Sequence, residues 1–233
     1  FAGGWSGVKL YFMLGLPTET DEDVLGIADL ARKVYFAWRE YTPNPKRGVR
    51  ITVSTSWFVP KPHTAFQWEA QIPVEEYQRR VGLLRDALKR DKSITYNWHD
   101  PQTSYLEAIF SRGDRRLADV LEWAWQHGAK FDSWSEYFDY QRWMDALEAC
   151  GLDGDFYAHR ERPRSEVFPW CRIDPMVTPA FLWHGLPVPD NPGLPHPLFR
   201  LRGQPSAERR GVQWLTACSS PRLGEPSTSP IWT

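Results

Sequence analysis

Histidine and cysteine, the residues that most often bind transition metals, number only six and three in this sequence. The cysteines Cys150, Cys171 and Cys218 are odd in number and far apart, which is typical of reduced thiols and not of a disulfide framework. His63 lies in a Pro-rich stretch, and His99-Asp100 follows a strand-like run, so these three residues form one hypothetical metal site of a hydrolase. The spacing matches no zinc-hydrolase motif, however, and Asp100 before Pro101 also suits a helix cap.

The stretch YFMLGLPTETDED, residues 11–23, changes abruptly from apolar to acidic at Gly15-Leu16-Pro17. Glycine permits a positive φ or a close backbone approach, and proline fixes the turn. In parallel α/β folds ligands bind where strands end, so the junction is placed where a cofactor would lie. The carboxylates that follow disfavour a phosphate. The alternative interpretation is a tight turn that leads into a well-capped helix.

Two basic clusters could bind an anion. The first contains Arg112, Arg115 and Arg116, and we expect it to pair with neighbours such as Asp119. The second is HRERPR, residues 159–164, which we expect to be solvated and self-paired through the glutamate inside it. The net charge of −1 gives no indication of a nucleic-acid partner.

The elements that must position these residues begin with a βαβ unit. Residues 8–14 are apolar and aromatic, which is typical of a strand buried on both faces. A helix follows over 21–41, with Thr20 as its N-cap and an amphipathic stripe. Residues 49–57 are rich in β-branched side chains and predict a second strand, parallel to the first.

The remaining pattern is loop, helix, strand and then helices. Two prolines predict a loop without regular structure over 58–68, and Pro73 begins a helix. Residues 93–98 indicate a third strand. Later helices are predicted from Asp100-Pro101, through DRRLADVLEWAWQHG to Gly128, and from the capping box S-W-S-E at Ser133 to about Gly151.

The 233-residue chain therefore divides into three predicted segments: an α/β part over 1–90, a helical extension over 91–185, and a Pro-rich disordered tail over 186–233. The longest apolar run is too short to cross a bilayer. No stretch has the pattern of a secretory signal. We accordingly expect a cytoplasmic protein.

The motifs, taken in order, resemble a known enzyme family. GLPTET after an apolar strand is similar to the GxPGET-type signature late in the barrel of radical S-adenosylmethionine (SAM) enzymes. ITVSTSWFVPKPHTAFQW resembles the last barrel strand and its exit, and HDPQTSYLEAIFSRGDRRLADVLEWAWQHGAKFDSW and FYAHRERPRSEVFPWCRID continue the likeness. The resemblance covers about residues 1–182 and is to a subgroup of large radical SAM proteins with a cobalamin-binding (B12-type) region.

The resemblance implies the carboxyl-terminal strands of a partial (β/α) radical SAM barrel, a helical extension, and a role in holding SAM. Carried over, Gly15, Leu16, Pro17 and Glu19 would line the SAM side. Near the end of the next strand, Thr55, Trp57 and Val59 would approach the adenine or the substrate. Barrel packing is an equally good interpretation of the second set.

The sequence departs from the family in lacking C-x-x-x-C-x-x-C, whose thiolates hold a [4Fe-4S] cluster. We therefore expect a carboxyl-terminal fragment of a radical SAM enzyme, inactive alone, whose partner is the missing amino-terminal half of the same protein. That parent would contain SAM, the cluster and, in this subgroup, cobalamin. The alternative is an autonomous α/β-helical protein-interaction module with a tryptophan-rich face.

Overall fold

A parallel sheet of three strands lies at the start of the protein, in the computed structural model that describes residues 1–184. The strands are β1 (Gly7–Leu14), β2 (Arg50–Trp57) and β3 (Ile94–Trp98), in the order β1-β2-β3. Both neighbouring pairs are parallel, so the predicted parallel pairing of the first two strands is confirmed. The α/β class is confirmed as well, whereas a closed barrel is not formed by the described strands.

Helix α1 (Asp21–Tyr41) connects β1 to β2, as predicted. Thr20 and Asp23 form a reciprocal capping box, because each backbone amide donates to the side chain of the other residue, at 3.0 and 3.3 Å. Satisfying these amides and placing carboxylates at the positive helix end explain why α1 begins there.

The segment between β2 and helix α2 (Val74–Leu88) contains a short 3-10 helix, Ala65–Trp68. The prediction that 58–68 has no regular structure is therefore wrong. Thr64 caps this turn by accepting from the amide of Phe66 at 3.3 Å, and the prolines lie before it, where they break no bond of the turn. Pro73 is the residue directly before α2.

The helical part of the described chain follows β3. Its helices are α3 (Pro101–Arg112), α4 (Leu117–Gln126), α5 (Tyr140–Ala149), α6 (Gly154–Ala158) and α7 (Pro179–His184). Gly128, with φ +95°, lies just after α4, where the predicted stop requires it. Within residues 1–184, no helix combines the length and the apolar character needed to cross a membrane.

The predicted helix start at Ser133 is wrong, because α5 begins at Tyr140. Asp139 caps α5 by accepting from the amide of Arg142 at 3.3 Å. The S-W-S-E stretch forms turns, and Trp134 in it is exposed. A capping sequence initiates a helix only where an apolar face can be buried next to it, and this stretch buries none.

Three apolar cores stabilise the described part of the chain, the smallest of them around Trp68, Phe168 and Trp170. The first lies between the sheet and helices α1 and α2, and its buried residues are Leu14, Val24, Ile27, Ala28, Ala31, Ile51, Val53, Trp57, Tyr77, Val81, Leu84 and Leu88. The second lies mainly among α3, α4, α5 and α6, around the buried Ile109, Val120 and Ala146. Tyr105 of α3 packs against these first two cores.

Helices α1 and α2 cover only one face of the sheet. In β1 the burial alternates, and Tyr11 and Met13 are 70% and 47% exposed. The prediction that this strand is buried on both faces is therefore wrong. An apolar and aromatic run cannot by itself show that its second face lacks a cover. The predicted tail over 186–233, and Cys218 with it, lie outside the described residues.

Candidate functional site at the carboxyl edge of the sheet

The three strands end at a common edge. The amide of Phe58 donates to the carbonyl of Leu14 at 2.8 Å, and the amide of His99 donates to the carbonyl of Thr55 at 3.0 Å. These bonds continue the parallel ladders one residue past the strands, so the turns after β1, β2 and β3 lie side by side. Such an edge is where α/β proteins bind ligands.

Gly15 makes the turn after β1 possible. Its φ is +93°, a conformation in which a side chain is strained, and an added Cβ would lie 2.8 Å from Cδ1 of Ile72. The turn closes with a hydrogen bond of 3.1 Å from the amide of Glu19 to the carbonyl of Leu16. Gly15 is buried, while Leu16 and Pro17 are half-buried, so the turn presents backbone and apolar surface at the edge.

The Glu19 side chain points back into the protein. Its carboxylate accepts from the amide of Gly15 at 2.8 Å and pairs with Arg80 of α2. Burial raises the pKa of Glu19, and the Gly15 amide and Arg80 oppose that rise. The structure thus brings Gly15, Leu16, Pro17 and Glu19 together, with Glu19 holding the turn in place.

Thr55 and Trp57 lie on the helix-covered face of β2. The Thr55 hydroxyl is 2.8 Å from the hydroxyl of Tyr96, and the Trp57 ring stacks on Tyr77 with centroids 5.0 Å apart. Both side chains are buried. Neither side chain therefore reaches the open face: Thr55 packs in the core, and Trp57 also lines a cavity on the covered side of the sheet.

Successive residues of a strand point to opposite faces of the sheet, so the open face carries the neighbours of the buried residues. The register places Tyr11, Ser54 and Asn97 in one row across the three strands, and Met13 opposite Ser56 beside it. These residues are exposed or half-exposed. Lys9 lies over the ring of Tyr11, 5.2 Å from its centroid, which places both on this face.

Sequence reasoning missed Ser54, Ser56 and Asn97 as candidate site residues. The signal was the strict alternation in VRITVSTSW, where small polar residues occupy every second position. Deciding which of the two alternating sets of residues faces the open side required knowing which face the helices cover.

The hypothetical metal ligands His63, His99 and Asp100 are not grouped around a common point in the described part of the chain. Asp100 caps α3 by accepting from the amides of Gln102 and Thr103 at 2.8 and 3.2 Å, as predicted. The amide of His63 donates to the side chain of Gln67. Throughout residues 1–184, no group of three or more His, Cys, Asp or Glu residues is placed to hold a metal ion. Cys150 and Cys171 are both free thiols.

The basic clusters are structural, but their partners differ from the predicted ones. Arg116 pairs with Asp114 at 2.7 Å and Arg160 pairs with Glu166 at 2.7 Å. Arg112 is fully buried, and the guanidinium of the buried Arg162 donates to its carbonyl at 3.0 Å. The predicted solvated, self-paired cluster at 159–164 is therefore wrong, because folding places α3 against this segment.

Comparison with known proteins gives a distant relative. No family model matches the chain, and no solved structure matches it. An uncharacterised protein of Methanocaldococcus jannaschii is 32% identical over 126 residues, a match that covers 52% of this chain and 24% of that protein. The chain thus spans about a quarter of that relative's length.

Proposed function

We propose that this chain is the carboxyl-terminal part of a radical SAM enzyme that supplies late strands of a (β/α) barrel and a helical extension. The observation that carries the proposal is the one-sided parallel sheet. In a (β/α) barrel the strands are parallel, the helices lie outside, and every second residue of each strand faces the interior. The row of Tyr11, Ser54 and Asn97 has the position of such an interior layer.

The edge formed by Gly15, Leu16 and Pro17 fits a cofactor held by backbone and apolar contacts. Gly15 has no side chain, and its neighbours Leu16 and Pro17 are half-buried at the carboxyl edge. Glu19 contributes by fixing this turn through the Gly15 amide and Arg80. In the parent enzyme SAM and an iron–sulfur cluster together supply radical chemistry.

The described residues do not fit the cluster itself. Three thiolates on one short loop are needed to hold it, and Cys150 and Cys171 are separate free thiols on the helical part. We therefore expect anaerobic reconstitution of this chain with iron and sulfide to yield no four-iron centre. The cluster, and cobalamin where the parent binds it, would belong to another segment of the same protein, which is also the expected partner.

Sequencing the gene upstream of the Phe1 codon tests the proposal directly. We expect the reading frame to continue and to encode C-x-x-x-C-x-x-C. An in-frame stop codon followed by a start codon just before Phe1 would contradict the proposal.

Binding of SAM to the longer protein provides a second test. With the extended chain prepared anaerobically, we expect Gly15→Ala to weaken SAM binding in equilibrium dialysis by on the order of tenfold, because a strained turn misplaces the edge. Gly26→Ala is the matched control, since an added Cβ there meets nothing within 4 Å. Equal affinities for the two variants would remove this turn from the SAM site.

An autonomous interaction module is the second candidate, favoured by exposed aromatic side chains on the helical part. Trp125 of α4 is 63% exposed, and Phe131, Trp134 and Tyr137 are also largely exposed. Aromatic residues are enriched at the centres of protein interfaces. An in-frame stop codon followed by a start codon just before the Phe1 codon would support this candidate.

A further inference from the structure

A cavity of about 540 Å³ lies on the helix-covered side of the sheet, among α2, α3, α5 and α6. Its volume is in the range of pockets that bind small ligands. Neither the turn after β1 nor the open face lines this cavity, so ligand binding there goes beyond the proposed function, although Trp57, carried over above as a residue near the adenine or the substrate, is part of its lining.

Aromatic rings form one wall of the cavity. The His159 ring stacks on Tyr105, with centroids 5.3 Å apart and an interplanar angle of 20°. The His159 ring also packs against Trp57, with ring centroids 6.1 Å apart and an interplanar angle of 29°. The imidazole is fixed because its Nδ1 donates to the carbonyl of Gln71 at 2.9 Å. Because His159 is stacked between Tyr105 and Trp57, and Trp57 between His159 and Tyr77, the ring faces left for a ligand are those of Tyr105 and of Tyr140 on α5, which also lines the cavity.

Two exposed carboxylates lie at the same cavity. Asp155 accepts from the hydroxyl of Tyr105 at 2.6 Å and lies at the cavity, and Glu75 of α2 also lines it. Burial and the Asp155 carboxylate raise the pKa of Tyr105, and the same two causes raise the pKa of Tyr140. Among the described residues that line the cavity there is no lysine or arginine.

We propose that this cavity binds a small organic cation, an ammonium ion that carries alkyl groups. Aromatic faces attract cations through the ring quadrupole, and alkylated ammonium ions are weakly hydrated, so they gain most from such a site. Glu75 and Asp155 supply the opposite charge. A phosphate-bearing ligand would meet these two carboxylates without a lysine or arginine, and the one imidazole in the lining, His159, already faces Asp155 with its Nε2 3.7 Å from that carboxylate. A metal ion would lack a third ligand among the described residues.

Choline and its uncharged isostere 3,3-dimethyl-1-butanol are the probes that test the proposal. With the 233-residue chain in a titration calorimeter, we expect choline to bind more tightly than the alcohol by on the order of tenfold. Equal affinities would overturn the proposal, because shape alone would then account for binding. No choline binding up to about 10 mM would also overturn it.

Variants identify the site. Replacing both carboxylates, Glu75→Gln with Asp155→Asn, should reduce choline affinity to that of the alcohol while leaving alcohol binding unchanged. Asp86→Asn, on α2 and outside the lining, is the control and should bind choline like the parent. Tyr140→Phe keeps the ring and should bind normally, whereas Tyr140→Leu should weaken choline binding by on the order of tenfold. Circular dichroism establishes that each variant is folded, and unchanged choline affinity in the folded double variant would overturn the proposal.

Discussion

The carboxylate of Glu19 and the guanidinium of Arg80 form an ion pair between the turn after β1 and helix α2, with only 7% and 12% of the two side chains exposed. Glu19 also accepts from the Gly15 amide at 2.8 Å, and Arg80 also donates to Glu76 at 2.7 Å. The conformation of the GLPTET motif, residues 15–20, thus depends on Arg80, a residue far along the chain in α2.

Removing Glu19 should destabilise the protein. We expect Glu19→Ala to lower the free energy of unfolding by about 3 kcal/mol, because it leaves Arg80 mostly buried with one partner fewer. Glu19→Gln should cost less, since the amide oxygen can still accept from Gly15. Glu148→Ala, an exposed control on α5, should change it by less than about 0.5 kcal/mol. Urea unfolding measures all three, and equal values for Glu19→Ala and the control would contradict a stabilising pair.

The stability of the protein should decline in acid partly through Glu76. Hydrogen bonds from Arg79 and Arg80 lower the pKa of Glu76 from 4.5 to about 2. Because the folded-state pKa is the lower one, this carboxylate contributes stability above pH 4.5 that is lost as the pH falls towards 2. Glu76→Gln should therefore flatten the pH dependence of unfolding in this window. A profile parallel to that of the parent would contradict the assignment.

Gly15 should tolerate no side chain. Gly15→Ala places a Cβ at φ +93° and 2.8 Å from Ile72, so we expect a loss of about 2 kcal/mol in the free energy of unfolding. Gly26→Ala in α1 meets open space and should instead gain about 0.5 kcal/mol through helix propensity. Thermal unfolding of the two variants should shift in opposite directions, and shifts of the same sign would contradict this.

Thr18 occupies a conformation that suits glycine. Its φ is +65°, which is costly for a β-branched residue, and its side chain is exposed. Thr18→Gly should stabilise the protein by about 1 kcal/mol, because relief of strain exceeds the added entropy of the unfolded chain. Thr103→Gly, an exposed control in α3 with helical backbone, should destabilise it. Chemical unfolding distinguishes the two outcomes, and a destabilised Thr18→Gly would show that the turn is unstrained.

The open face of the sheet should make the chain self-associate. Unpaired edge strands with exposed apolar residues promote association, and β1 has one partner strand in the described part. We expect micromolar association and binding of a hydrophobic dye, both reduced by the double change Tyr11→Lys with Met13→Lys. Trp125→Lys on α4 is the control for the interaction-module alternative. If sedimentation shows that this control alone yields monomers, the helical surface and not the sheet causes association.

Local signals in the sequence were sufficient for much of the fold. The apolar run of β1, the Thr20 cap and the β-branched run of β2 each predict an element from neighbouring residues, and the order strand–helix–strand implies parallel pairing. Asp100 before Pro101 was similarly sufficient for the start of α3, because a cap bonds to amides only two or three residues away.

The candidate site depended on contacts between residues distant in sequence. The motif around Gly15 could be selected, but the pairing of Glu19 with Arg80 could not be read from it. The sequence was likewise ambiguous about which alternate residues of β2 face the helices, since Thr55 and Ser54 are both plausible on that side.

The sequence by itself determined the strands, the starts of α1, α2 and α3, and the parallel order of β1 and β2, because hydrophobic period, caps and turns act over a few residues. Only the tertiary structure decided which face of the sheet is covered, that α5 begins at Tyr140 and not at Ser133, and that Arg112 and Arg162 are buried. Burial is a property of what packs on a residue from elsewhere in the chain, and no local pattern encodes it.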